Sequence, residues 1–373
     1  MKVCVTFTYG ITLLDWKRTG NLAREVALYR RLADNGIEVT LLTYGDGGDR
    51  ALEAEIAPVR VLPAYEGRIR PTTKLASFLG SLWMPIRLRK KLMTFDLFKT
   101  NQIWGGWVAA LAALLTGRPW ILRCGYEHFR FARMQKKRWW KLLGIWVISF
   151  LLYQCAGRVV VTAEFMRDWI RKTFLVGGAR ISVIPNFIDS DLFTPGGIPW
   201  ALRKNRVIFV GRLAMQKNLP ALVRATAQVG VGLDLVGNGD METELRQLAA
   251  ALGADVEFFG AVPNELLPEL LGQYRYFALP SFFEGHPKTL LEAMACGLAC
   301  LGCRVEGVEE VLKHGVTGYL SGTSCGDLAV GLKELMNNPN QAREIGAAAA
   351  VQVRETCGMD VVARQELALL GRG

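Results

Sequence analysis

No uncharged stretch of this sequence is long enough to cross a bilayer comfortably. The two longest candidates are Asn101–Gly117, which is interrupted by Gly and Asn, and Leu142–Gly157. The second would reach about 24 Å as a helix at about 1.5 Å per residue, short of the ~30 Å hydrocarbon core. Both read as buried or interfacial helices. A disulfide framework is also missing. Eight Cys are scattered at positions 4, 124, 155, 296, 300, 303, 325 and 357, a spacing that fits reduced thiols and a cytoplasmic setting. Pro is limited to 14 residues and the 39 Gly follow no period, which excludes collagen, coiled-coil and low-complexity architectures. The opening Met1–Tyr9 reads as a strand and lacks the apolar core and cleavage site of a signal peptide. What remains is 51% hydrophobic and 21% charged over 373 residues, enough apolar material for two buried cores.

Acidic residues are scarce in one half only. Residues 1–195 hold 29 Lys and Arg against 15 Asp and Glu, a balance of +14; the remainder holds 16 against 19, a balance of −3, and the two sum to the overall +11. Nine of the ten Trp also precede residue 196. A basic, Trp-rich half joined to a near-neutral half predicts one surface that meets anions.

The first half alternates short β-branched runs with helical periodicity. Val3–Thr8, Ile37–Tyr44, Val59–Leu62, Asp96–Lys99, Trp120–Cys124 and Arg158–Thr162 read as strands, and Leu22–Asn35 and Gly105–Thr116 as helices. The pattern restarts after the breaker Pro195-Gly-Gly197, with strands at Val207–Val210, Leu233–Val236, Val256–Phe259, Tyr276–Pro280 and Leu298–Gly302. Helical segments lie between them. Tandem βα repeats with short connections predict two doubly wound, parallel α/β sheets. The predicted domains are 1–195 and 196–355, with 356–373 a C-terminal helix returning to the first domain.

The chemistry concentrates in the second half. In Ser281-Phe-Phe-Glu284-Gly-His286-Pro287-Lys288-Thr289-Leu290-Leu-Glu292, a strand ends at Pro280 and a helix starts near Pro287. The free amides of Lys288, Thr289 and Leu290 make that helix start a ready phosphate site. A carboxylate about one turn behind, Glu292, suits a ribose diol. Val210-Gly211-Arg212 through Lys217-Asn218 opens the second half directly after a strand. Gly211 permits a sharp turn, and Arg212 and Lys217 set two cations in one loop, suited to a pyrophosphate. Each glutamate alone fits an ordinary first-turn acid, and the loop alone an ordinary solvated one. Their combination points to a nucleotide.

Six motifs in order between Val183 and Leu320 resemble the retaining, nucleotide-sugar-dependent glycosyltransferases of family 4, which have the GT-B fold. These are Val183-Ile-Pro-Asn186-Phe-Ile-Asp189, the Gly211–Asn218 loop, Leu235-Val-Gly237-Asn-Gly239, Val256-Glu-Phe-Phe-Gly260-Ala-Val262, the Glu284/Glu292 pair at E-x7-E spacing, and Gly307-Val-Glu-Glu310 with Gly315-Val-Thr-Gly318. The resemblance implies two Rossmann-like domains facing a cleft, with the donor in the second and the acceptor in the first. It implies that Gly211, Arg212, Lys217 and Gly237 hold the diphosphate and that Gly260 and Val262 border the base. Glu284 would then contact the transferred sugar and Glu292 the ribose, with His286, Lys288, Thr289 and Leu290 around the phosphates. No metal or other cofactor is implied. The first half departs from the pattern: a double Gly is missing at Thr19-Gly20-Asn21, and His128, the candidate for the His that the family often carries after the strand near residue 122, is displaced from it, so the resemblance implies a catalytic set of Arg212, Lys217, Glu284 and, as a candidate, His128. A phosphorylase or epimerase on the same fold, or a silent scaffold of envelope-polymer assembly, remain as rival readings.

Asp189-Ser-Asp191 has the spacing of a metal-binding pair but lies in the linker motif, and Cys296, Cys300 and Cys303 lack a fourth ligand for zinc. The basic clusters Ile86–Leu92 and Arg130–Lys141 are unexplained by the donor site. The second mixes Trp139 and Trp140 with cations and runs into Leu142–Tyr153, the composition of an anchor on an anionic membrane surface. A nucleic-acid partner is not expected, because no recognition motif accompanies the charge. The expected acceptor is a saccharide or lipid-linked saccharide at the cytoplasmic face of a membrane.

Overall fold

The computed structural model describes residues 1–371 and forms two compact units: residues 1–185 with the chain from Ala363, and residues 186–362. Each unit is built on one parallel sheet.

In the first unit the elements run β1 (Lys2–Thr6), α1 (Leu13–Arg18), α2 (Leu22–Asp34), β2 (Glu38–Thr43), α3 (Gly47–Ala51), β3 (Arg60–Pro63), α4 (Lys74–Arg87) and α5 (Arg89–Leu92). They continue β4 (Leu97–Thr100), α6 (Gly106–Thr116), β5 (Trp120–Cys124), α7 (His128–Met134), α8 (Trp139–Cys155), β6 (Arg158–Val161), α9 (Glu164–Phe174) and β7 (Ile181–Val183). The strand order is β3-β2-β1-β4-β5-β6-β7, all parallel, so the chain reverses direction across the sheet at β1 and β4. That reversal leaves a topological switch point at the carboxyl ends of the central strands. The strands are buried on both faces, as their unbroken apolar runs require.

The second unit follows the same plan. It runs β8 (Lys204–Val210), α10 (Leu219–Val229), β9 (Leu233–Val236), α11 (Glu242–Leu252), β10 (Val256–Gly260), α12 (Leu267–Leu271), β11 (Tyr274–Leu279) and α13 (Lys288–Ala295). Then come β12 (Ala299–Cys303), α14 (Glu306–Glu309), β13 (Tyr319–Ser321), α15 (Cys325–Asn337) and α16 (Pro339–Cys357). Its order is β10-β9-β8-β11-β12-β13. The doubly wound parallel α/β fold is as the repeat pattern predicts. Sequence periodicity missed β7 and β13, which are three residues each, and the helices α1, α4 and α9.

The linker segment 186–195, assigned by sequence to the first domain, is built into the second unit. The Ile188 amide donates to the Cys357 carbonyl at 2.8 Å. Ile188 and Phe193 are both 2% exposed in that unit's core. The breaker at 195–197 is thus a loop within the second unit, because the apolar side chains ahead of it are already anchored there.

Helix α17 (Met359–Leu370) carries the chain into the first unit. There Glu366, fully buried, receives Arg123 Nη1 at 3.0 Å and an ion pair from Lys99. Lys99 lies in β4 and Arg123 in β5, so one carboxylate from α17 closes two buried cations of the central sheet. Burial alone would raise the Glu366 carboxyl; Lys99 and Arg123 override it and hold it below the usual carboxylate range.

Candidate active site

The second unit gathers its polar residues at the carboxyl ends of β8, β9, β10 and β11. The loop amides lock these strand ends together: Gly211 N–H donates to the Val236 carbonyl at 2.9 Å, and Gly237 N–H to the Gly260 carbonyl at 2.7 Å. Gly237 has φ +132°, and a Cβ there would stand 2.0 Å from the Gly211 carbonyl oxygen. Only glycine lets these two turns touch. After Gly211 the chain passes Arg212, whose side chain is exposed, and enters a turn at Met215–Lys217. Asn218 follows at φ +50° and donates from Nδ2 to the Thr323 carbonyl at 2.8 Å.

This turn is fastened to the segment before α13. Phe282 N–H donates to the Gln216 carbonyl at 2.9 Å, and Gln216 Nε2 to the Phe283 carbonyl at 2.8 Å. Between them Lys217 Nζ meets Glu284 Oε1 at 2.5 Å. The pair is largely sheltered, with side-chain exposures of 16% for Lys217 and 9% for Glu284. Gly307, at the start of α14, backs the same loop: a Cβ there would lie 2.1 Å from the Gly285 carbonyl oxygen. Asn186 Nδ2 donates to the His286 carbonyl at 2.7 Å, so the linker motif also positions this segment.

Pro287 caps α13 by position, one residue earlier than the sequence reading placed it. No side-chain hydrogen bond caps this helix, and its first turn, with the backbone amides of Thr289 and Leu290, opens at the carboxyl end of β11. Lys288 Nζ sits 5.3 Å from the Phe187 ring centroid. Leu290 is fully buried, its side chain part of the core. Glu292, the fifth helical residue, is 3% exposed and accepts from Asn264 Nδ2 at 3.1 Å. Asn264 follows β10 just after Gly260 and half-buried Val262, so the buried carboxylate is held toward the β10 edge.

The structure thus brings Gly211, Arg212, Lys217, Gly237, Gly260, Val262, Glu284, His286, Lys288, Thr289, Leu290 and Glu292 to one sheet end. Two residues that build the site were missed: Asn264 and Gln216. Their partners lie 28 and 67 residues away, and no local pattern marks them. Burial pushes the Cys296 and Cys303 thiols up to about 12 and about 11, so without a bound cation both are protonated at neutral pH.

In the first unit His128 begins α7, beyond the carboxyl end of β5. Buried Glu127 caps that helix, accepting from the Phe129 and Arg130 amides at 3.2 and 2.6 Å. The His128 ring lies parallel to Trp104, with centroids 5.0 Å apart and planes within 5°. Tyr126 meets its edge at 5.4 Å. Burial, and then the Lys137 ammonium, hold the imidazole below its ordinary value.

Comparison with known proteins covers both units. The profile of Glycosyltransferase Family 4 matches residues 26–192, and that of the glycosyl transferases group 1 matches residues 195–352. An uncharacterized glycosyltransferase of Methanocaldococcus jannaschii is 30% identical over 351 residues, 83% of this chain and 84% of that protein. The chain belongs to the family 4 glycosyltransferases. This glycosyltransferase is also 28% identical, over 61% of its length and 62% of the other's, to an Escherichia coli protein. That relative is named UDP-Gal:alpha-D-GlcNAc-diphosphoundecaprenol alpha-1,3-galactosyltransferase. Among solved structures, the Anabaena protein HepE in complex with UDP and glucose superposes with a TM-score of 0.79 at 19% identity, over all of both chains. The glycosyltransferase therefore has the GT-B fold.

Proposed function

We propose that this glycosyltransferase moves a hexosyl group from a nucleoside diphosphate sugar to an acceptor hydroxyl with retention of configuration. The observation that carries the reading is the Lys217–Glu284 pair beside the uncapped start of α13, with exposed Arg212 in the same loop. A diphosphate fits this setting: it takes the α13 amides, Arg212 and Lys217, and Lys217 exchanges Glu284 for phosphate oxygen. Glu284, released, accepts from a hydroxyl of the sugar. Buried Glu292, held by Asn264, accepts from the ribose hydroxyls, and Gly260 and Val262 border the base.

In the reaction the bond from the anomeric carbon to the diphosphate oxygen breaks. The acceptor oxygen bonds that carbon on the face the diphosphate leaves, and its proton passes to the departing diphosphate. Arg212, Lys217 and the helix amides stabilise the charge that develops on the leaving group. These cations already neutralise the diphosphate, so turnover is proposed to need no metal and to survive EDTA.

The acceptor is proposed to be a saccharide, free or lipid-linked, bound by the first unit. Half-exposed Tyr9, Trp104, Tyr126 and His128 follow the carboxyl ends of its strands and suit a sugar ring, and His128 is proposed to contact the reacting hydroxyl. The E. coli relative named for a diphosphoundecaprenol-linked sugar supports the lipid-linked form. The basic segment Arg130–Lys141 supports work on an anionic membrane at its cytoplasmic face.

Calorimetric titration with nucleoside diphosphates tests the donor site. Arg212→Ala and Lys217→Ala are each expected to cost about 1.5–3 kcal/mol, roughly 10- to 150-fold in binding or turnover. Unchanged affinity and turnover in the double variant would refute it.

A further inference from the structure

Helix α4 is built inside out. Its outward stripe is Leu75, Phe78, Leu79, Trp83 and Ile86, with exposures of 70%, 37%, 54%, 61% and 45%. These positions fall on one helical face. The opposite face, turned into the unit, carries Ser77, Gly80, Ser81 and Met84. Ser81 is fully buried, accepting from Trp107 Nε1 at 2.9 Å and donating to the Phe78 carbonyl at 2.6 Å. A Cβ on Gly80 would stand 3.0 Å from the Tyr65 hydroxyl, so the helix passes close to Tyr65 at that position. A helix that sends Ser inward and Leu and Trp outward is not made for water.

Neighbouring helices expose apolar side chains as well. Helix α4 packs on α6, and α6 packs on α8. From α6, Leu114 is 79% exposed; from α8, Trp139, Leu143, Val147 and Leu151 repeat at four-residue spacing and are all exposed. The segment that carries these helices is rich in cations. Residues 67–163 hold seventeen Lys and Arg against two acids, Asp96 and Glu127. Glu127 is buried, and Lys99 and Arg123 are committed to Glu366. The net charge presented is strongly positive.

We propose that the α4 stripe inserts into the interface of an anionic bilayer, with α8 beside it and the basic segments on the headgroups. The proposal rests on the membrane reading above and names the element that enters the lipid. Charge decides the occupant. A second copy docked face to face would bring two basic rims together, whereas anionic lipid neutralises the rim and covers the apolar stripe in one contact. Helix α4, 14 residues, is about 21 Å long and cannot span, and no helix among the described residues is long and apolar enough to cross a membrane.

The test is flotation of the full chain with vesicles of phosphatidylcholine and phosphatidylglycerol, at low and at high salt. Three proteins are compared: wild type, the triple variant Leu75→Ser/Leu79→Ser/Trp83→Ser, and Lys136→Glu/Lys137→Glu/Arg138→Glu/Lys141→Glu. Wild type is expected to bind at low salt and to keep a salt-resistant fraction. The triple variant is expected to lose that fraction, its high-salt partition falling about tenfold or more. The charge variant is expected to lose low-salt binding. Because the three α4 side chains are exposed, the triple variant keeps the wild-type melting temperature, which monitors its fold. If the triple variant floats like wild type at both salts, insertion through α4 is overturned while the membrane reading stands. If wild type stays in solution with anionic vesicles at low salt, the membrane reading falls with it. Dimeric wild type beside a monomeric triple variant in lipid-free sedimentation would assign the stripe to self-association and overturn the proposal.

Discussion

The two units carry similar parallel sheets and treat charge in opposite ways. In the first, Lys99, Arg123 and Glu366 are buried together, with side-chain exposures of 3%, 10% and 0%, and the carboxylate is fully enclosed between the two cations. In the second, Lys217 and Glu284 keep 16% and 9% of their side chains exposed at a loop, and Arg212 stands open beside them. A sealed charge cluster fixes architecture, because breaking it strands an ion in a low-dielectric interior. A pair in a loop beside an exposed cation is placed for exchange, because an incoming anion can replace the carboxylate on the lysine.

The largest effect expected from this contrast is in the first unit. Glu366→Ala leaves two buried cations without a counter-charge and is expected to destabilise that unit by about 3–5 kcal/mol. Chemical denaturation of the full chain measures it; a loss below 1 kcal/mol would mean that Lys99 and Arg123 are solvated after all. Its pH dependence has a definite sign. The Glu366 carboxyl is held below its ordinary 4.5 in the fold, so its contribution is fully present above that value. It is lost as the pH falls through the lower, folded value. The wild-type advantage over Glu366→Ala is therefore expected to be flat near neutrality and to shrink in acid below pH 4.5.

Sequence exposed the second unit's site far better than the first unit's. A strand–turn–helix unit writes its functional residues within a few positions of one another, so Gly211 to Lys217 and Glu284 to Glu292 were legible as spacing. The Glu366 triad joins positions 267 and 243 residues apart, and nothing local marks a C-terminal glutamate as the partner of a β4 lysine. Helix α4 escaped notice for a different reason. Its apolar positions have the right period, but Pro85 falls inside it and Gly80 interrupts it, both signals that ordinarily argue against a helix. The aromatic group around His128 is likewise assembled from Trp104 and Tyr126 on separate strand ends. The basic bias of the first half was visible; which helix faces carry it to the surface was not.

A smaller effect separates the two glutamates of the second unit. If Glu292 holds the ribose as proposed, Glu292→Gln keeps the shape, weakens acceptance of the two hydroxyls, and is expected to loosen nucleoside diphosphate binding by about 1.5–3 kcal/mol. Glu284→Gln is expected to act oppositely on that ligand, since Lys217 is then released from its 2.5 Å partner before phosphate arrives. Affinity for the free nucleoside diphosphate should hold or tighten while turnover falls. Calorimetry beside initial-rate measurements reads both, and the reverse pattern would interchange the two roles.

The smallest expected effect concerns His128. Its ring is packed flat against Trp104, and burial disfavours the charged form there; the Lys137 ammonium adds a second, weaker push in the same direction. The imidazole is therefore neutral at neutral pH and takes a proton only as the pH falls below the ordinary His value of 6.5. Such a depressed group favours the fold above that value and works against it as acid protonates the unfolded chain first. Lys137→Gln removes the lesser of the two causes, so the His128 titration is expected to move upward slightly and to stay below 6.5. The chain has only three His, 128, 286 and 314, so proton NMR resolves each titration once His128→Asn identifies its signal. Where a neutral His128 assists the acceptor hydroxyl, the acid limb of turnover measured with a soluble acceptor should follow the same small upward move in Lys137→Gln. An acid limb unmoved by that substitution, with the NMR titration shifted, would separate His128 from the reaction and leave it as part of the aromatic wall.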